Sequence, residues 1–186
     1  MSVSFGMFIG MLAKRFLATL CTLVVVSPMV AQKKVLAQTP PMGWNSWDSY
    51  GLTITESQFR ANVDVLAKRL KSAGYQYAVV DEGWYLSNPE RANKPETLHY
   101  RMNANGQYEP ALNRFASAEG KAGFGPIASF VHSQGLLFGI HIIRGIPKKA
   151  VAAKLPIADS GFHAADAAER TETCPRNLDS FGVKYR

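Results

Sequence analysis

Three apolar segments separated by helix-patterned stretches constrain this chain more than any other feature. Leu136 to Ile143 is an almost unbroken apolar run, Tyr77-Ala78-Val79-Val80 is a shorter one, and Met42 to Trp47 is a third strand candidate ending in polar residues. Continuous apolar strands belong to parallel sheets covered by helices. The first two gaps carry helix signals. Thr55 with Gln58 three residues on forms a capping box, and Glu56 favours a helix N-terminus. Phe59, Val63, Leu66 and Leu70 then fall on one stripe, and Gly74 stands where a C-terminal cap belongs. A second helix begins at Phe124-Gly125-Pro126, uses Ile127, Phe130 and Val131 as its core face, and stops at Gly135. The polar stretch 86–122 before it is longer than an ordinary connection, and long loops often carry function.

Alternating strands and helices predict a parallel α/β sheet. A (β/α)8 barrel of the TIM type needs roughly 200 residues or more, and this chain supplies about three of its eight units. It reads as a small open α/β domain or as the front of such a barrel. After Arg144 the pattern weakens: Pro147, Pro156 and Pro175 and many alanines offer no convincing further strand.

Residues 1–37 read as a signal peptide. Lys14 and Arg15 form a basic region, Phe16 to Val26 an apolar run, and Val35-Leu36-Ala37 a small-residue cleavage site before Gln38, with Ala31 a second candidate. The run is short for a bilayer span, although an uncleaved anchor is the competing reading. No later segment approaches span length. The expectation is a secreted or periplasmic protein whose mature part is residues 38–186. The leader holds Lys14, Arg15, Lys33 and Lys34 and no acid, so its removal lowers the net charge from +7 to +3. The high pI is therefore largely the leader's, and gives no case for a nucleic-acid partner. Lys148, Lys149 and Lys154 are spaced by alanines and read as a solvated face. Cys21 leaves with the leader and Cys174 remains alone, as a buried thiol, an intermolecular bridge or half of a missing pair. No metal-ligand spacing is present.

The residues with chemistry cluster at strand ends. The stretch TPPMGWNSWDSYG, residues 39–51, sets Trp44, Trp47 and Tyr50 beside Asn45, Ser46 and Asp48. Aromatic faces next to hydrogen-bonding groups suit a sugar, whose C–H face stacks and whose hydroxyls need partners. Both tryptophans could be core; the polar residues between them favour a binding role for one. Asp81 and Glu82 follow the second strand, at the end where α/β folds bind ligands. Side chains alternate, so one of the pair faces a ligand and the other a loop or helix. They read as acceptors for sugar hydroxyls or as capping and salt-bridged acids. His141 lies in the third strand and shares a face with Gly139 and Ile143; it is a core histidine or a pocket residue. Arg144 could pair with an acid or hold a loop, Trp84 is core or site, and His99, His132 and His163 read as surface or helix residues.

In order and spacing, TPPMGWNSWDSYG, VVDEGW at 79–84 and LFGIHIIRGIP at 137–147 resemble the α-galactosidase-like glycoside hydrolases of family 27, especially bacterial secreted members. The resemblance covers about residues 38–182, and only the first third or so of the family. It implies a (β/α)8 barrel followed by a β-sandwich, and hydrolysis of terminal α-linked galactosides with retention, without a cofactor. It implies that Trp47 stacks on the sugar, that Asp81 and Glu82 hold its hydroxyls, and that His141 stands where many members have a pocket tyrosine. Glu82 departs from the commoner Asp-Asp pair. Members usually pair a cysteine of this region with one further on, so Cys174 is expected to be unpaired. The resemblance places the nucleophile on an aspartate in a Lys-x-Asp motif at the fourth strand, and the acid/base on a later aspartate. Asp159, Asp166 and Asp179 do not stand in that context. No catalytic carboxylate is assigned, so this chain alone is expected to turn over little or nothing. A non-catalytic sugar-binding module, or a gene fragment that does not fold, is the alternative.

Overall fold

The computed structural model describes residues 39–174 and 177–183. The leader assigned to residues 1–37 and the thiol of Cys174 lie outside the described residues. Three short parallel strands form one sheet in the order β1 (Gly43–Asn45), β2 (Tyr77–Val80), β3 (Leu137–Ile140). The register pairs Trp44 with Ala78 and Val80 with Ile140. Parallel neighbours need long crossovers, and here each contains a helix.

After β1, α1 (Trp47–Tyr50) makes a single turn. The Met42–Trp47 strand is therefore shorter than predicted, and Trp47 belongs to the turn. The Asn45 side chain explains the break: its Oδ1 accepts the Trp47 N–H at 2.8 Å, giving the backbone an alternative to the ladder. The first crossover helix, α2 (Glu56–Val65), starts at the predicted box. The Thr55 hydroxyl accepts from the Gln58 N–H, and Gln58 Oε1 accepts the Thr55 N–H at 3.0 Å. The helix widens into a π turn over Leu66–Leu70 and ends at Gly74, whose φ of 95° is the left-handed cap. The second crossover ends in α3 (Gly125–Ser133), with Pro126 in its first turn.

The core lies on the helix side of the sheet. Phe59 and Val63 of α2, Leu66 of the π turn, and Ile127 and Val131 of α3 close over Ala78 and Val80. The Phe59 ring sits 5.8 Å from Trp44 and 5.9 Å edge-on from Phe138. Burying each such side chain contributes about 1.5–3 kcal/mol. On the other face Leu137 is 46% exposed, while Tyr77 and Val79 are half-buried.

The stretch after β2 is packed rather than loose. Leu86 bridges to Tyr100 and Met102 to Tyr108. The rings of Tyr85 and Tyr108 stack at 4.1 Å, with Tyr100 at 6.0 Å from both. The absence of strands after Arg144 is corrected. There β4 (Ile146–Pro147), β5 (Ala168–Cys174) and β6 (Asn177–Val183) form an antiparallel sheet, ordered β4-β6-β5. Neither AERTETC nor NLDSFGV alternates apolar with polar residues, so the usual strand signal is missing. Two short helices, α4 (Lys148–Ala152) and α5 (Ala164–Ala167), bury Ala150, Val151 and Ala164 against Ala168. No helix among the described residues is long and apolar enough to cross a membrane.

Candidate functional site

The site is built where β1, β2 and β3 end. Beyond β1, the Ser46 N–H donates to the Val79 carbonyl at 3.1 Å, extending the ladder by one bond. The Ser46 hydroxyl then accepts the Asp81 N–H at 3.0 Å. Ser46 is fully buried. It therefore positions Asp81 and is not one of the sugar-facing hydroxyls that its place in the 39–51 motif suggested. Beyond β3, the His141 N–H donates to the Val80 carbonyl at 2.8 Å, and the His141 carbonyl accepts Trp84 Nε1–H at 2.9 Å. His141 thus lies just past β3 and not inside it, because the pairing with β2 stops where Asp81 leaves the strand direction. Trp84 is buried in the core and serves the site only through that bond.

These backbone bonds bring two predicted residues together. Asp81 Oδ1 accepts from the Glu82 N–H at 2.6 Å and faces His141 Nδ1 at 3.0 Å. The tautomer that satisfies the contact carries its proton on Nδ1. The Asp81 side chain is 7% exposed and the His141 ring 61%. A buried acceptor therefore orients an accessible imidazole. Glu82 is also buried. Its charge acts on the Tyr85 phenol, which burial, Tyr108, Glu82 and Tyr100 together hold well above the ordinary tyrosine range. Both residues lie past the end of β2, with Asp81 turned to His141 and Glu82 within electrostatic reach of Tyr85.

Of the two tryptophans, Trp44 is half-buried and packs against the core: its ring meets Tyr50 edge-on at 6.4 Å and Phe59 at 5.8 Å. Trp47 is half-buried on the turn beside the strand ends. Arg144, His99 and His132 are exposed, and His163 caps α5 with Asp166. None of them joins the Asp81–His141 pair through a hydrogen bond or ion pair.

One residue at the site was not anticipated. Arg114 is 9% exposed. Nη1 donates to the carbonyls of Gly83 (2.8 Å) and Leu86 (2.9 Å), and Nη2 to those of Leu52 (2.7 Å) and Ile54. Burial pushes its pKa down to about 10, against a smaller upward pull from Glu90; it stays charged at neutral pH. No pattern in the sequence marks a cation bound by four main-chain carbonyls, since every residue carries one.

The arrangement suits recognition of hydroxyls. A glycosidase pair needs two carboxyls about 5–10 Å apart that flank one bond. Asp81 and Glu82 are chain neighbours, and Asp81 is already held by His141 and the Glu82 N–H.

No protein-family model matches the chain. An α-galactosidase of Cyamopsis tetragonoloba is 34% identical over 151 residues, covering 81% of this chain and 30% of that one. Among solved structures, a family 27 β-L-arabinopyranosidase of Geobacillus stearothermophilus, in complex with arabinose, is 42% identical with a TM-score of 0.68. That match covers 79% of this chain and 34% of the other. A putative α-N-acetylgalactosaminidase of Bacillus halodurans is 44% identical with a TM-score of 0.70, over 81% of this chain and 35% of its own. The chain therefore spans about a third of the length of these relatives. Over the residues that the matches cover, the chain is α-galactosidase-like and similar to the glycoside hydrolases of family 27.

Proposed function

We propose that this chain forms one wall of the sugar pocket of a retaining glycosidase acting on terminal α-linked galactosides. The observation that carries the reading is the Asp81–His141 hydrogen bond at 3.0 Å, made at the carboxyl ends of adjacent parallel strands. That end is where barrel enzymes place their ligands. In this reading the three strand–helix units open a (β/α)8 barrel, Trp47 stacks on the sugar ring, and Asp81, Glu82 and His141 take its hydroxyls. Similarity to an arabinopyranosidase and to an α-N-acetylgalactosaminidase keeps the corresponding sugars in the assay.

The retaining reaction needs a carboxylate nucleophile and a carboxylic acid, and none of the 186 residues is assigned to either role. The polypeptide of these residues is therefore proposed to bind a galactoside with little or no turnover. The test is to assay the purified chain with nitrophenyl α-galactoside, β-L-arabinopyranoside and α-N-acetylgalactosaminide. Robust turnover that Asp81→Asn abolishes would sink the claim of inactivity. Calorimetry with galactose examines the second reading, a non-catalytic sugar-binding module. That reading is favoured by the hydrogen bonds to Asp81 Oδ1, which fix this carboxylate in place as an acceptor. Export from the cytoplasm is proposed from the basic, apolar and small-residue order of residues 14–37. A fusion to a reporter active only outside the cytoplasm checks it.

A further inference from the structure

Two segments bear the proposed pocket, and they meet at a joint below it. Leu52 lies on the turn Gly51–Thr53 that directly follows the Trp47 turn, and Gly83 comes two residues after Asp81. A Cβ placed on Gly83 would stand 2.7 Å from Leu52 Cδ2 and 3.1 Å from Leu52 Cα, and Gly83 has φ +91°. Close approach and backbone conformation both require glycine there. Arg114 holds the same two segments from a third. One guanidinium nitrogen serves Gly83 and Leu86, the other serves Leu52 and Ile54, and Nε is buried without a hydrogen-bond partner. A guanidinium is a rigid planar fork, so its two arms fix how far apart the carbonyls can lie.

We infer that Arg114 is a positioning residue of the sugar site. Its guanidinium, with Gly83, sets the gap between the Trp47 segment and the Asp81–His141 rim. The ligand part of this inference rests on the galactoside reading; the geometric part does not. Lysine offers one compact charge in place of a fork and cannot hold both segments at their present spacing. Loss of the fork lets the stacking ring and the hydroxyl acceptors drift relative to each other, and a misplacement of about 1 Å in a preorganised site costs on the order of tenfold or more.

The experiment compares the full chain with its Arg114→Met, Arg114→Lys and Gly83→Ala variants. Val63→Ala, a core change away from the joint, serves as the control for lost stability. Two quantities are read on the folded protein: the ring nitrogen signals of His141 by NMR without sugar, and the affinity for methyl α-D-galactopyranoside by calorimetry. All three joint variants are expected to shift the His141 signals. Arg114→Met is expected to weaken affinity about tenfold and Arg114→Lys by less, while Val63→Ala changes neither. A folded Arg114→Met or Arg114→Lys protein with unchanged His141 signals and affinity overturns the inference. If Arg114→Met does not fold, Arg114→Lys and Gly83→Ala decide by the same two readouts. If the unaltered chain binds no galactoside, the sugar reading fails, and the His141 signals alone decide the joint.

Discussion

The helix side of the parallel sheet and the rim at its carboxyl ends are made by the same strands under different rules. On the helix side, Phe59, Val63, Ala78, Val80, Ile127 and Val131 are interchangeable in kind: each is apolar and each is sealed by the others. At the rim specific polar groups are matched one to one. The Ser46 hydroxyl holds the Asp81 N–H, Asp81 holds His141, and Trp84 Nε1–H holds the His141 carbonyl. Burial drives the first region, and one-to-one hydrogen bonding the second. Stability should therefore be concentrated in one and recognition in the other.

The sharpest way to break that contrast is Phe59→Ala. The ring touches both Trp44 and Phe138, so its loss should cost about 3–5 kcal/mol, read as a lower denaturation midpoint. A small effect would mean that the core is loosely packed. Next is Ser46→Ala, which strands the buried Asp81 N–H. It should cost about 1–3 kcal/mol and alter the His141 ring signals as well, unlike any core change. His141→Ala should move in the opposite sense. The ring is 61% exposed, so unfolding should change by no more than about 0.5 kcal/mol, while affinity for methyl α-D-galactopyranoside falls. A large stability loss would make His141 a core histidine after all. The smallest effect belongs to Glu56 in the first turn of α2. Burial alone would raise its pKa, but the Ser117 N–H and the Arg60 guanidinium outweigh it and hold the carboxyl below its ordinary 4.5. A depressed acid stabilises the fold above its unfolded pKa and loses that contribution as pH falls through the folded value. The stability gap between the unaltered chain and Glu56→Gln should accordingly close as the solution is acidified below about pH 4.5. An unchanged gap would remove Glu56 from the acid response.

What could be read from the sequence follows the same division. Burial writes itself as periodicity, so the α2 stripe, the Thr55–Gln58 box and β2 at Tyr77–Val80 were all legible. The run Leu136–Ile143 overshot because apolar residues continue after the ladder ends: Ile142 is exposed although it reads as strand. The antiparallel strands 168–174 and 177–183 were illegible because polar and apolar residues do not separate onto the two alternations. At the site, Asp81 and His141 were found through their place at strand ends, yet their mutual contact depends on register between segments 60 residues apart. Ser46 was misread, since a hydroxyl beside two tryptophans looks the same whether it faces a ligand or a buried N–H. Arg114 left no trace, because its partners are main-chain atoms.

The seat of Trp84 has an optical consequence. Its indole is sealed in the core with its N–H bound to the His141 carbonyl, whereas Trp44 and Trp47 are only half-buried. An aqueous quencher should dim the fluorescence of those two first and leave a protected, blue-shifted remainder from Trp84. That remainder is an intrinsic lamp at the end of β3, and it should dim only when the strand end itself comes apart.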